Sequence, residues 1–178
     1  MSSAGRYLPH YTVEDYALWE GDWELWEGIA VAMTPNPFGA HSKVMISAAT
    51  AIKNAIDSVK CNATTLAEID WIVSADTVLR PDVVVLCGDA PPKHVETTPA
   101  IVLEVLSDST RDRDLGAKRD IYQREEVPYY LMLDPLDSSV VFYRLSDGVN
   151  VQQDVGESIT FEICDGCRLD VEVARLFS

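Results

Sequence analysis

The sequence predicts an α/β chain built on a mixed sheet, and three observations carry that prediction. A long stretch of helical periodicity precedes two strongly apolar strands, and a shorter helical stretch follows them. After Pro128 the chain breaks into short strands separated by polar turns. No Gly-rich phosphate loop is present, so a doubly wound nucleotide fold and a nucleotide cofactor are not expected.

Thr12, with Asp15 three residues on, has the spacing of a capping box and opens a short helix through Trp19. WELWEGIAVAM, residues 23–33, reads as a hairpin turning at Glu27-Gly28. A Pro/Asn/Gly loop then leads into the longest periodic stretch. There Met45, Ala48, Ala49, Ile52, Ala55, Ile56 and Val59 share one helical stripe, which should pack flat on the sheet. From Thr64 to Leu86 the chain is β-rich, interrupted at Asp70-Trp71 and Ser74-Ala75-Asp76. The next strand is 101–106, and a second helix fits 112–125, ending before Pro128. The segments YYLMLDP, SVVFYRL, NVQQD, SITFEIC and RLDVEV follow as short strands, giving extra C-terminal hairpins. No linker or repeat divides the chain, so residues 1–178 are expected to form one domain.

With 178 residues, 47% of them hydrophobic, the chain can bury a full core. No run approaches the roughly 18 apolar residues of a membrane span, and the first residues lack a signal-peptide pattern. The expectation is a cytoplasmic protein with no membrane partner. Cys61, Cys87, Cys164 and Cys167 are few and scattered, so reduced thiols are expected. Cys164 and Cys167 form a C-x-x-C that reads better as a hairpin turning at Asp165-Gly166 than as a zinc or redox motif.

The net charge of −15 should repel nucleic acid overall. One segment runs the other way: Arg111, Arg113, Lys118, Arg119 and Arg124 outnumber Asp112, Asp114 and Asp120.

Chemistry is signalled by misfits. RPDVVVL (80–86) and IVLEVLS (101–107) each carry one carboxylate, Asp82 and Glu104, inside an apolar run, where an unpaired charge costs several kcal/mol. Strand alternation puts Asp82 on the face of Val84 and Leu86, and Glu104 on that of Val102 and Leu106. If the strands are antiparallel neighbours, both acids can reach one point. Two carboxylates plus a backbone carbonyl such as that of Val105 then suit Mg²⁺ or Mn²⁺. The bland alternative is that Asp82 merely starts a strand and Glu104 pairs with an arginine. Lys118 falls on the inward stripe of the second helix with Leu115, Ile121 and Tyr122. It either snorkels and pairs with Asp114 or aims its ammonium at the acids; the residues alone leave both open.

The succession WELWEG, RPDVVVL, IVLEVLSDSTRDRDLGAKRDIY and VPYYLMLDP resembles the Uma-two family of restriction-endonuclease-like proteins, within the PD-(D/E)XK nuclease superfamily. The resemblance covers roughly residues 11–145. It implies a restriction-endonuclease-like core, a mixed sheet flanked by helices, and a Mg²⁺- or Mn²⁺-dependent endonuclease acting on nucleic acid, DNA foremost. Asp82 and Glu104 would be its acids. Leu106 stands where the superfamily pattern has lysine, so that role would pass to Lys118. Glu24 matches the acid ahead of the long helix and would approach the metal or its water shell, and His41, Tyr122 and Asp114 also match family positions. Arg111, Arg113 and Arg119, with Tyr122 and His41, would face substrate. Asp108, Glu126 and Leu131 replace the family's usual proline, glycine and tryptophan. A homodimer could present two basic segments to one duplex. Two other readings compete: a catalytically silent binding or scaffold module, favoured by the acidity, and a hydrolase of small phosphate esters.

Overall fold

The computed structural model describes residues 9–33, 39–107 and 114–178, without the side chains of residues 114 and 115. Arg111, Asp112, Arg113 and Asp108 lie outside the described residues. The architecture is mixed α/β, with the carboxylate strands at the centre of a six-stranded sheet and a second, four-stranded sheet beside it.

The capping box forms as its residues dictate. Thr12 caps α1 (Val13–Tyr16), and the Asp15 carboxylate answers the Thr12 amide at 2.9 Å. The hairpin β1 (Trp23–Trp26) and β2 (Ile29–Ala32) turns at Glu27 and Gly28, both at positive φ. At Gly28 a Cβ would run into the His10 ring, so glycine is needed there for space as well as for backbone conformation.

Helix α2 (Gly39–Val59) follows, then β3 (Ala63–Ala67), β4 (Trp71–Ser74), β5 (Thr77–Leu79), β6 (Val83–Cys87) and β7 (Ile101–Val105). A π-helical turn, Asp114–Lys118, runs straight into α3 (Arg119–Arg124). This pair replaces the uninterrupted helix that periodicity predicts. The chain continues through β8 (Tyr129–Asp134), β9 (Ser139–Ser146), β10 (Val149–Gln153), β11 (Ser158–Ile163) and β12 (Cys167–Glu172). Glu126 adopts φ 56°, the left-handed conformation that glycine accommodates without strain.

The main sheet has the order β10-β9-β8-β7-β6-β3 and is antiparallel except for the parallel pair β7–β8, which the π-turn and α3 connect. Strands β2-β1-β5-β4 form the second sheet, so the β-rich stretch after Thr64 divides between two sheets. Sequence alternation finds strands but does not assign them to sheets.

Two cores result. On one face Val83, Val85, Ile101, Leu103 and Val105 pack against Val44, Ala48, Ile52 and Ile56 of α2, and against Phe161 and Leu169 of the β11–β12 hairpin. Each large aliphatic side chain buried there contributes about 1.5–3 kcal/mol. On the other face Val84, Leu86, Val102 and Leu106 meet Ile121, Tyr122, Tyr130 and Trp71.

The cysteines correct the expectation of reduced thiols. The β11–β12 hairpin does turn at Asp165-Gly166, but its two cysteines are bridged to Cys87 and Cys61. Packing the hairpin on the α2 face brings the Cα atoms to 5.3 Å for Cys87–Cys164 and 5.8 Å for Cys61–Cys167, inside the range a disulfide spans. The partners stand 77 and 106 residues apart in sequence, which is why spacing gave no hint of the pairing. No helix among the described residues is long and apolar enough to cross a membrane.

Candidate active site

The antiparallel register of β6 and β7 pairs Val83 with Leu103 and Val84 with Val102, which sets Asp82 opposite Glu104. Val84, Leu86, Val102 and Leu106 all belong to one core face, as alternation requires if the two acids share a side. Backbone hydrogen bonds tie the acids together: the Asp82 amide donates to Glu104 Oε2 at 3.3 Å, and the Val105 amide to Asp82 Oδ2 at 2.6 Å.

Lys118 answers the question its sequence left open. Its Nζ lies 2.9 Å from Glu104 Oε1 and 3.1 Å from Glu24 Oε1, with the side chain only 7% exposed. The end of the π-helical turn delivers it there, next to Tyr122 of α3, whose hydroxyl donates to Glu104 Oε1 at 2.6 Å. Complete burial, then the Glu104 carboxylate, drive the Tyr122 pKa well above its ordinary value, so this phenol stays protonated and donating.

Glu24 arrives from β1. Its Oε1 accepts from the Arg80 amide at 2.7 Å and its Oε2 from Trp26 Nε1 at 3.2 Å. Sequence reasoning missed both anchors, although Trp26, two residues on, had to share a face with Glu24. From the opposite side of the sheet, His41 in the first turns of α2 places Nε2 3.2 Å from Asp82 Oδ2. Burial alone would lower its pKa, but the Asp82 hydrogen bond and charge, the Glu68 charge and the Val105 backbone outweigh that and the net shift is upward.

The structure thus brings together Glu24, His41, Asp82, Glu104, Val105, Lys118 and Tyr122. It does not bring Arg119 to them. That guanidinium lies 5.9 Å over the Tyr143 ring, and the Tyr143 side chain is the main cause of its raised pKa. Arg124 pairs with Glu27 at 2.7 Å. Arg111 and Arg113 lie outside the described residues. Among the described residues, no cluster of three or more His, Cys, Asp or Glu side chains is arranged to hold a metal ion.

Residues 13–172, most of the chain, match the model of the Uma2 family, described as "Putative restriction endonuclease". The chain belongs to the Uma2 family. The match takes in every residue of the Uma2 site just described. No curated protein matches this Uma2 chain in sequence. Among solved structures it is similar to "a putative nuclease belonging to DUF820" from Anabaena variabilis. The TM-score is 0.73 at 16% identity, over 94% of this chain and 97% of that one, a likeness of fold.

Proposed function

We propose that the protein is a divalent-metal-dependent phosphodiesterase that cuts nucleic acid, with DNA as the substrate and Asp82, Glu104 and Lys118 as its catalytic centre. The observation that carries this reading is the buried Lys118 ammonium held between Glu104 and Glu24, with Asp82 hydrogen-bonded across the sheet to the same Glu104. Two acids and one amine, far apart in sequence, converge in this way where phosphoryl chemistry needs a cation beside hard oxygen donors.

The donor set fits Mg²⁺ or Mn²⁺, which commonly take one or two carboxylates and fill the remaining positions with water. Asp82 and Glu104 would hold the ion, with the Val105 carbonyl as a third donor. Glu24 accepts from Lys118, Arg80 and Trp26, and Glu104 from Lys118, Tyr122 and the Asp82 amide, so at either carboxylate an ion would use lone pairs beyond those bonds. When bound, the ion supplies Lewis-acid polarisation of the scissile phosphate and acidifies the attacking water. Lys118 donates toward negative charge that develops on the phosphate and holds Glu104 in place. Tyr122 fixes the Glu104 rotamer, and Trp26 with the Arg80 amide fixes Glu24, so these three position the centre. His41 orients Asp82 from the far side of the sheet.

The test is an assay of purified protein on plasmid and single-stranded DNA with Mn²⁺ and with Mg²⁺, beside Asp82→Ala and Glu104→Ala. Wild type should cut, and each variant should lose about two to four orders of magnitude in rate while keeping its circular dichroism. Variants that cut at the wild-type rate would reject the residue assignment. One rival has support of its own. The net charge of −15, with Arg119 and Arg124 engaged away from the acids, favours a catalytically silent binding module. An inert wild type that binds neither ion at millimolar concentration would establish that rival.

A further inference from the structure

A second polar constellation adjoins the candidate site in sequence: Trp23 comes one residue before Glu24, and Arg80 two before Asp82. Tyr16, Trp19, Trp23, Asp70, Arg80 and His94 line a cavity of about 270 Å³. Its walls are aromatic and fixed. Trp19 meets Tyr16 and Trp23 edge-on, with ring centroids 5.5 and 5.9 Å away. Trp23 is pinned by the bond from its Nε1 to the Glu20 carbonyl at 2.9 Å, and by Tyr16, whose hydroxyl donates to the Trp23 carbonyl at 3.0 Å.

The polar floor is equally fixed. Arg80 Nε donates to Asp70 Oδ1 at 2.7 Å and Nη1 to Asp22 Oδ1 at 2.9 Å, and Nη2 approaches the Tyr16 hydroxyl at 3.4 Å. The Tyr16 hydroxyl is also 3.1 Å from Asp70 Oδ2, and His94 Nδ1 is 3.8 Å from that oxygen, too far for a hydrogen bond. A guanidinium edge that donates therefore sits next to a carboxylate oxygen that accepts, with a half-exposed imidazole free to turn toward an occupant.

Three properties select the occupant. The volume lies just below the about 300–1,000 Å³ of drug-sized pockets, enough for one ring system. Two carboxylates against one guanidinium and one imidazole oppose a phosphate or carboxylate group. A purely apolar guest would cover, without satisfying, the guanidinium hydrogens and Asp70 lone pairs that the bonds to Asp22, Asp70 and Tyr16 leave unused. A flat, uncharged group with a donor and an acceptor side by side on its edge meets all three conditions. The edge of a nucleobase has that pattern, and bases held out of a stack are bound by aromatic walls and edge hydrogen bonds of this type.

The pocket is also joined to the candidate active site. Trp23 immediately precedes Glu24, and the amide of Arg80, whose side chain forms the pocket floor, donates to Glu24 Oε1 at 2.7 Å. We infer that the Tyr16–Trp19–Trp23–Arg80 cavity is a binding pocket for one unpaired nucleobase of a nucleic-acid strand. The inference rests on the nucleic-acid reading of the site above and names a determinant of how the strand is seated there.

The test reads binding without cleavage, in EDTA. The quenching of tryptophan fluorescence is followed on adding adenosine, guanosine, cytidine or thymidine, and on adding a short single-stranded oligonucleotide. At least one nucleoside should quench saturably, and the oligonucleotide should compete with it. Trp19→Leu should weaken nucleoside binding about tenfold or more, Trp19→Phe should restore most of it, and His94→Ala, at an exposed position, should weaken it severalfold. No quenching by any of the four nucleosides at millimolar concentration would overturn the pocket. So would failure of the oligonucleotide to compete, or unchanged affinity in both Trp19→Leu and His94→Ala. Base binding in EDTA by a protein that never cuts DNA with Mn²⁺ would sink the catalytic reading and leave the pocket standing, and cutting without base binding would do the reverse.

Discussion

Two clusters in this molecule share one composition and differ in everything that matters for chemistry. In the first, Lys118 lies between Glu24 and Glu104 with Tyr122 bonded to Glu104; in the second, Arg80 lies between Asp22 and Asp70 with Tyr16 bonded to Asp70. Each has two acids, one base and one phenol. The Arg80 fork spends separate nitrogens on separate carboxylates, and the Asp22 side chain is 70% exposed, so water shares the excess negative charge. The Lys118 cluster is shut away from water: its three charged side chains are each at most 7% exposed. Charges taken out of water depend on their close partners, so the buried cluster should be the more sensitive of the two to loss of its cation.

The sharpest way to break the comparison is to remove each cation in turn. Lys118→Met keeps an unbranched apolar stem but leaves Glu24 and Glu104 facing each other in the dry interior. It should cost about 3–5 kcal/mol of stability, the penalty for breaking a buried pair. Cleavage should fall by about two to four orders of magnitude. Arg80→Met should cost about 1–3 kcal/mol, because Asp22 and part of Asp70 can be rehydrated and the Arg80 amide still holds Glu24. Urea denaturation of both variants, at a pH where the folded state persists, makes the measurement. Equal losses would mean that burial does not distinguish the clusters.

Removing the staples asks whether either cluster depends on the opposite face of the sheet. Both disulfides fasten the tip of the β11–β12 hairpin, and neither touches Lys118 or Arg80. Reduction, or the paired variant Cys164→Ser with Cys167→Ser, should cost about 2–5 kcal/mol while leaving the rate per folded molecule unchanged. A thermal melt with and without reductant measures the first quantity, and cleavage well below the midpoint measures the second. A fall in rate ahead of unfolding would show that the hairpin helps to hold Asp82, which immediately precedes the strand ending at Cys87.

Much of the site was legible because its residues violate their surroundings. Asp82 and Glu104 interrupt apolar strands, and Lys118 interrupts an apolar helical stripe; a charge kept where burial penalises it marks a partner across the fold. The long helix, the Glu27-Gly28 turn and the Asp165-Gly166 hairpin were legible for a different reason, since local periodicity and turn chemistry decide them. What escaped was non-local. The division of strands between two sheets, the cysteine partners, and the Asp22–Arg80–Asp70 clamp depend on which segments meet, and no spacing records that. The place of Arg119 beside Tyr143 was not legible, because position on a basic segment says nothing of direction. Arg80 itself was visible only as the residue before Pro81-Asp82, where a strand start explains it equally well.

The smallest effects belong to the two phenols, which report the clusters separately. The Tyr122 pKa stands well above 10 through burial and the Glu104 charge, whereas Tyr16 is pushed up to about 12 by burial and then by Asp70. A phenol whose folded pKa is raised stabilises the fold fully below the unfolded value near 10, and that contribution is lost as pH rises through the folded value. Tyr122→Phe should cost about 1.5–3 kcal/mol at neutral pH, since it removes a hydrogen bond to a buried carboxylate. Tyr16→Phe, at a half-exposed site, should cost about 1 kcal/mol or less. Between pH 10 and 12 the wild type should lose stability, and Tyr122→Phe should lose less of it. Chemical denaturation across that range, beside absorbance at the phenolate band, measures both. If Tyr122 ionises near pH 10 with the protein still folded, the cluster is wet, and the contrast between a dry acid–lysine cluster and a hydrated clamp fails.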